Sequence, residues 1–365
     1  MRICFIGPAN SAHIVKWCRW FVEKGHEVHV ISFTPGEIEK VEVHLVDVKV
    51  NPDGGDFQKL KYLLTGRKIK KLVKSIQPDV INVHYATSYG VAVALGGLKH
   101  YILSVWGSDI YDFPKKSFFH RTMLKYSLKK AEVLFSTSQV MADEASKYTK
   151  KKFSITPFGV DTELFSPDKC TRLTRDDAIV VGTVKGLSDK YGIRNILEAV
   201  AILRKQGKYD IRLRIAGRGP QEQEYKELAR TLGLDCITTW LGFINQEEAA
   251  EEWANMDIAL IPSTLDSESF GVSAVEAQAA GTAVIISDVP GLMEATKPGV
   301  TSVVVQRNDS AGLADAIEAL INDPEKRAQM GRNGTEYVRK QYELNRCFEK
   351  ILCLYKNSMS RGSLS

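Results

Sequence analysis

The segment "DIALIPSTLDSESFGVSAVEAQAAGTAVIIS", Asp257 to Ser287, reads as strand, polar loop, helix and strand in one run. "DIALIPS" (257–263) and "AVIIS" (283–287) are short, unbroken apolar runs, the signature of strands buried on both faces. The first strand ends near Pro262, a loop of small polar residues follows, and the helix starts around Gly271. Two such strands joined by a helix lie parallel in one sheet, so the segment predicts an α/β fold.

Working outward, the alternation recurs along the chain. In the first half "RICFIG" (2–7), "EVHVISF" (27–33), "DVINVHY" (79–85), "YILSVWG" (101–107) and "EVLFST" (132–137) read as strands. Ser11–Lys24, Asp56–Ile76 and Ser117–Lys130 read as helices between them. The turn-rich stretch "FSITPFGVDTELFSPDKCTRLTRDD" (153–177) reads as a linker. Strand patterns then resume with "AIVVGTVK" (178–185), "IRLRIAG" (211–217), "CITTWLG" (236–242) and "TSVVV" (301–305). The expected division is 1–165, 175–335, and a single long helix over 336–358 crossing back to the first domain, with a frayed tail "MSRGSLS" (359–365). Two such units imply a cleft between them, a usual place for a small ligand.

With 365 residues the chain exceeds one ordinary core. Its composition, 44% hydrophobic and 25% charged, is globular and excludes low-complexity or collagen-like classes. The six cysteines are scattered without a C-x-x-C pair, which suits reduced thiols better than a disulfide framework or a zinc site. The opening "MRICFIG" is too brief for a signal-peptide core, and no apolar stretch is long enough to span a bilayer. The expectation is a cytoplasmic protein that can lie against the inner face of the cell membrane. Charge is uneven: residues 1–170 carry 25 Lys and Arg against 17 Asp and Glu, which points the first half toward an anionic partner.

The loop and helix start of the opening segment carry Glu268 and Glu276, eight positions apart. The positive end of a helix favours a phosphate or a sugar hydroxyl, and Gly271 allows close backbone approach. Glu268 in the loop can accept hydrogen bonds from sugar hydroxyls; Glu276, more than a turn into the helix, can chelate the paired hydroxyls of a ribose. The plain alternative is two surface glutamates at helical spacing, which the neighbouring Phe-Gly disfavours.

In "VGTVKGLSDKYGIRNILEAV" (181–200), Lys185 and Lys190 flank the turn after the second domain's first strand, where open α/β sheets bind ligands. They supply positive charge for a diphosphate; two solvated loop lysines are the other reading. Arg218 in "IAGRGPQ" and Gly242 and Phe243 in "WLGFINQEE" fall after strands and fit approach to a base, or ordinary turns. In the first domain Asn10, Ser11 and His13 of "GPANSAHIVKW" follow strand one, as cleft residues or simple helix caps. The stretch is neither a phosphate loop nor a G-x-G-x-x-G fingerprint. His84, Trp106 and Asp109 sit at neighbouring strand ends, with Trp106 equally suited to packing the sheet edge. Finally "PKKSFFHRTMLKYSLKKAE" (114–132) mixes basic residues with Phe118 and Phe119, as a helix lying on anionic lipid does and as a solvated basic face does.

The order E-S-F-G-V-x-x-x-E-A-x-A-x-G-x-x-V-I, followed by "DVPGLMEAT" (288–296), resembles the E-x7-E block of the retaining glycosyltransferases of family 4. The resemblance implies the GT-B fold: two facing Rossmann-like domains with parallel sheets and a cleft between them. It implies that Glu268 touches the transferred sugar, Glu276 binds the nucleotide ribose, and the amides around Phe270, Gly271 and Val272 hold sugar hydroxyls and the diphosphate. It gives Asn10, Ser11, His13, His84, Trp106 and Asp109 to the acceptor side. Two departures stand out: Lys185 replaces the arginine usual in the V-G-R-L-x-x-x-K-G pattern, losing its bidentate fork, and Trp106 replaces a histidine.

The implied reaction moves a sugar from a nucleotide diphosphate sugar, UDP-sugar first among donors, to an acceptor hydroxyl with retention. Lys185 and Lys190 stabilise the leaving diphosphate. The expected cofactor is none, with no metal, since no D-x-D lies between apolar strands. The expected partners are a nucleotide-sugar donor, a glycan or lipid-linked acceptor in surface polysaccharide synthesis, and an anionic membrane surface through 114–132. Nucleic acid is not among them, because no helix-turn-helix, zinc-finger or RNP pattern occurs. The alternatives are a GT-B nucleotide-sugar epimerase, a catalytically silent sugar-nucleotide-binding scaffold and, less compatible with the missing fingerprint, a nicotinamide-dependent oxidoreductase.

Overall fold

The computed structural model describes residues 1–48, 60–171 and 178–362. The expected start of a helix at Asp56, the linker end at 172–177 and the last tail residues 363–365 lie outside the described residues. The chain divides into two compact units, Met1–Phe158 with Asn345–Ser365, and Gly159–Leu344.

The first unit contains strands β1 (Arg2–Ile6), β2 (Glu27–Ser32), β3 (Glu42–Leu45), β4 (Val80–His84), β5 (Ile102–Val105), β6 (Val133–Ser136) and β7 (Phe153–Ile155). They form one seven-stranded sheet in the order β3-β2-β1-β4-β5-β6-β7, with every pairing parallel. Its helices are α1 (Ala12–Glu23), α2 (Gly66–Ile76), α3 (Ser88–Leu95), α4 (Ser108–Tyr111), α5 (Phe118–Lys130) and α6 (Gln139–Ala145). β3 and β7 have no counterpart among the expected strands: β3 is half exposed, and β7 opens the expected linker.

The second unit has β8 (Ile179–Val184), β9 (Ile211–Ala216), β10 (Thr238–Gly242), β11 (Ile258–Ile261), β12 (Ala283–Ser287) and β13 (Ser302–Val305), in the order β10-β9-β8-β11-β12-β13. Its helices are α7 (Ile193–Gln206), α8 (Glu222–Thr231), α9 (Gln246–Asn255), α10 (Val272–Ala279), α11 (Pro290–Ala295), α12 (Ser310–Asn322) and α13 (Pro324–Gln341). Val181, Leu213, Ile258 and Ile285 from four neighbouring strands are buried in one core with Ile196, Val200 and Ile317 from the helices. The order of this sheet reverses between β8 and β11, because the chain leaves β8 toward β9 on one side and returns with β11 on the other.

The single C-terminal helix expected over 336–358 is two helices. α13 ends at Gln341, and α14 (Leu344–Gly362) follows. Between them Glu343 forms a parallel bridge with Val160: the Val160 amide donates to the Tyr342 carbonyl at 2.8 Å, and the Leu344 amide to the Val160 carbonyl at 2.9 Å. Extended pairing there is incompatible with helical dihedrals, so the helix stops despite an uninterrupted apolar pattern. α14 belongs to the first unit's core. Phe348 and Tyr355 are fully buried, the Tyr355 ring stacks 5.5 Å from Phe21, and Asn82 donates to its hydroxyl at 2.6 Å. Anchored there, α14 continues through Met359 to Gly362, past the point where fraying was expected.

Candidate functional site

The reversal of strand order between β8 and β11 is the topological switch point of the second sheet, and loops leaving adjacent strands there diverge and leave a crevice. The loop after β8 carries Lys185 and Lys190, and the loop after β11 runs through Ser267 and Glu268 to the start of α10. Backbone bonds strap the two together: Thr264 donates its amide to the Lys190 carbonyl at 2.8 Å, and the Thr264 hydroxyl donates to the Asp189 carbonyl at 3.0 Å. From the other side, the Ser273 hydroxyl of α10 donates to the Val184 carbonyl at the end of β8, at 3.1 Å.

Within this frame the predicted charges meet. Lys185 Nζ lies 3.0 Å from Glu268 Oε2, with the side chains 10% and 9% exposed. Lys190 Nζ donates to the Ser267 carbonyl at 2.8 Å. Gly271 is the N-cap of α10 with φ +73°, so no side chain caps the first turn, and a Cβ there would press to 2.7 Å from Leu292 Cδ2. Glycine satisfies both the left-handed backbone and the close contact. The first turn of α10 therefore presents its positive dipole end without a side-chain cap, with the Ala274 amide already bonded back to the Gly271 carbonyl at 2.9 Å. Glu276 is the fifth residue of α10 and is also buried.

Three further residues join this frame through tertiary contacts that no local sequence pattern marks. Tyr191 lies under both lysines, with Lys185 Nζ 4.7 Å and Lys190 Nζ 5.4 Å from its ring centroid. Burial raises its hydroxyl pKa, and Lys185 opposes that rise. The Ser267 hydroxyl is buried with no hydrogen-bond partner, beside Glu268. Gly291 in α11 touches the loop so closely that a Cβ would fall 2.2 Å from the Glu268 carbonyl oxygen. Tyr191 and Gly291 stood in the quoted motifs "DKYGI" and "DVPGL", but only the tertiary approach reveals their task.

The remaining expected donor residues are spread more widely. Phe270 contributes backbone only, since its ring is buried against Tyr342 at 5.4 Å. Val272 is the first residue of α10. Gly242 has φ +68° and approaches Arg218, whose side chain is exposed, while Phe243 is 76% exposed. The residues just beyond them cap a helix: Asn245 and Glu248 form a reciprocal capping box at 2.8 Å in both directions.

In the first unit, His13, His84 and Trp106 converge in one aromatic group with Phe158. His13 stacks on Phe158 at 4.0 Å, and Trp106 meets His13 edge-on at 5.6 Å and His84 at 5.4 Å. Asn10 accepts from the Thr34 hydroxyl at 3.0 Å. Ser11 stands at the N-cap of α1 without capping it through its side chain.

Two of the acceptor-side residues, Asp109 and His84, are buried within the first unit. Asp109 is fully buried, and its carboxylate accepts from the amides of Ala86 at 2.8 Å, Gly107 at 2.8 Å and Trp106 at 3.1 Å. It therefore ties the loops after β4 and β5 together. Burial pushes its carboxyl pKa up against the pull of these bonds. His84 is enclosed by Phe5, Trp17 and Trp106, with neither ring nitrogen hydrogen-bonded. Burial, aided by His13, pushes its pKa down to about 3, so it is a neutral imidazole at pH 7.

Two family descriptions fit the chain, "Glycosyl transferase 4-like" over residues 2–138 and "Glycosyl transferases group 1" over residues 169–337. The chain is 34% identical over 212 residues to a D-inositol 3-phosphate glycosyltransferase of Pseudarthrobacter chlorophenolicus, covering 55% of this chain and 50% of that protein. With the protein of the same name from Corynebacterium glutamicum it shares 31% identity over 287 residues, 72% of this chain and 68% of the relative. With N-acetyl-alpha-D-glucosaminyl L-malate synthase of Bacillus anthracis it shares 25% over 350 residues, 92% and 89% of the two chains. The chain thus spans about half the length of the first of these relatives.

Among solved structures, sucrose-phosphate synthase from Thermosynechococcus elongatus superposes with a TM-score of 0.83 at 20% identity, covering 99% of this chain and 100% of that one. Anabaena HepE in complex with UDP and glucose gives 0.80 at 19%, covering 98% and 100%. These likenesses establish the fold as GT-B, with two Rossmann-like domains. The chain belongs to the group 1, GT4-like glycosyltransferases.

Proposed function

We propose that the protein transfers a sugar from a nucleotide diphosphate sugar, a UDP-sugar first among them, to an acceptor hydroxyl with retained anomeric configuration. The observation that carries this reading is the buried Lys185–Glu268 pair beside the open start of α10 at the switch point. Two charges removed from water are costly unless something at the site uses them. An incoming diphosphate takes up the Lys185 and Lys190 charges and the α10 amides, leaving Glu268 to accept from hydroxyls of the transferred sugar. Glu276 is assigned the nucleotide ribose. Family membership and the UDP held by Anabaena HepE support this donor class.

As the anomeric C–O bond breaks, negative charge grows on the diphosphate and positive charge on the ring. Preorganised cations and amides stabilise the first. In the front-face scheme the leaving phosphate helps take the acceptor proton, so no protein nucleophile and no metal is required. For the acceptor we favour a lipid-linked or other glycan of surface polysaccharide synthesis, at the cytoplasmic face of a membrane. Phe118 and Phe119, 82% and 58% exposed on α5 beside exposed Lys115 and Arg121, support that choice. A second reading, a small anionic acceptor, is favoured by the relatives named for inositol 3-phosphate and L-malate. Among the described residues no helix is long and apolar enough to cross a membrane.

The deciding experiment is a thermal-shift panel of UDP-, GDP- and ADP-sugars, since a ligand that binds the folded state raises the midpoint by linkage. The stabilising donor is then incubated with glycolipid, inositol phosphate or malate, with and without excess chelator. Release of nucleotide diphosphate with a new α-linked product, unaffected by chelator, is expected. No stabilisation by any donor overturns the reading.

A further inference from the structure

β3, the four-residue edge strand of the first unit's sheet, pairs in parallel with β2 so that His29 stands opposite Glu42. His44, two residues beyond Glu42, returns to the same face of the sheet. His29 Nδ1 lies 3.1 Å from His44 Nε2 and 3.4 Å from Glu42 Oε2, and His44 Nε2 lies 3.8 Å from Glu42 Oε1. We propose that His29, Glu42 and His44 form a binding site for a divalent transition-metal ion of the zinc type, fastening the edge strand to its neighbour.

The geometry matches such an ion. With metal–nitrogen and metal–oxygen bonds of about 2.0–2.1 Å, the donor atoms of a tetrahedral site stand about 3.3 Å apart. Among the described residues this is the one group of three His, Cys, Asp or Glu with ligand atoms all within 4.8 Å of one another. The other nitrogen of His29, Nε2, lies 3.0 Å from Glu27 Oε1, and Glu27 is held in turn by Arg2 Nε at 2.7 Å. A carboxylate behind a histidine fixes the proton on Nε2 and leaves the Nδ1 lone pair for a metal, the usual support of a ligating imidazole. Without a metal, the His44 Nε2–H donates to that lone pair across 3.1 Å, and a divalent cation takes the place of the shared proton between the two imidazoles and the Glu42 carboxylate. The His29 and His44 side chains are 10% and 18% exposed while Glu42 is 67% exposed, so the ion enters from the Glu42 side and keeps a water as fourth ligand. Two imidazoles and a carboxylate suit zinc, with nickel and copper as competitors of equal or greater affinity.

The test uses the full-length chain without an affinity tag, stripped with chelator and dialysed. Cobalt(II) should produce the visible bands of a tetrahedral nitrogen–oxygen site without thiolate charge-transfer bands. Calorimetry with zinc should give one site, and zinc should raise the thermal midpoint. His44→Ala and Glu42→Gln should each weaken zinc by about tenfold or more and abolish the midpoint shift. Glu42→Gln, at an exposed position and of the same shape, keeps the result decisive where His44→Ala impairs folding. Absence of cobalt bands in the native protein overturns the proposal. So does zinc affinity unchanged in both variants, or thiolate bands, which assign the metal to the exposed Cys170, Cys236 or Cys353.

Discussion

Lys185 Nζ and Glu268 Oε2 are 3.0 Å apart, and the two side chains are about nine-tenths buried. Removing one member of such a pair strands the other charge, at a cost of about 3–5 kcal/mol. Glu268→Ala should therefore lower stability to urea by about 3 kcal/mol as well as abolish transfer. Adding Lys185→Met should restore most of the stability and none of the turnover. A denaturation series with a transfer assay checks both; retained turnover in Glu268→Ala removes that carboxylate from the chemistry.

Glu276 lies buried inside α10, and on the proposed reading it binds the nucleotide ribose. Hydrogen bonds to a charged group are worth about 1.5–3 kcal/mol. Glu276→Ala should weaken UDP by about ten- to a hundredfold in calorimetry while Glu268→Ala changes it little. Equal UDP affinity in native protein and Glu276→Ala refutes the assignment.

Gly291 packs against the loop that carries Glu268: a Cβ there would meet the Glu268 carbonyl oxygen at 2.2 Å and the Ser269 carbonyl carbon at 2.6 Å. Both are backbone atoms, so the loop itself must shift. Gly291→Ala should destabilise the fold by about 1–3 kcal/mol and reduce turnover by displacing Glu268. Turnover equal to native shows the loop can move without consequence.

How much was legible beforehand follows from where the information lies. Unbroken apolar runs announced β8, β11 and β12, and Gly271 announced the start of α10, because both are local consequences of burial and backbone freedom. The Lys185–Glu268 contact joins residues 83 positions apart and depends on strand order, which a single sequence does not encode locally. The break at Tyr342–Glu343 was invisible for the same reason: its cause is Val160, far away in the chain. The motif around Asp109 is visible in the sequence, but its hydrogen bonds to three backbone amides come from the approach of two separate loops, which no local pattern encodes.

Phe118 and Phe119 project from the start of α5 with Lys115, Lys116 and Arg121 exposed nearby. Juxtaposed apolar rings and cations suit an anionic lipid surface, each basic residue contributing about 1 kcal/mol. Reversing the charge at Lys115, Lys116 and Arg121 should cut co-sedimentation with phosphatidylglycerol vesicles by at least about tenfold, and Phe118→Ser with Phe119→Ser should reduce it further. Identical sedimentation of all variants rules out this surface as a membrane contact.

His84 gives the last prediction. Its pKa of about 3 in the fold lies below its ordinary 6.5, because full burial disfavours the charged ring. Between those two values the unfolded chain binds a proton that the folded chain refuses, so stability falls as pH falls. The contribution is complete above pH 6.5, declines by up to about 1.4 kcal/mol per pH unit below it, and is exhausted near pH 3. From pH 7 to pH 5 the native protein should lose about 2 kcal/mol more than His84→Gln, whose side chain does not titrate. Urea denaturation of both proteins at the two pH values measures that difference directly. Parallel losses mean that the imidazole is protonated in the folded state or reached by water, and that the aromatic enclosure of Phe5, Trp17 and Trp106 is looser than these contacts indicate.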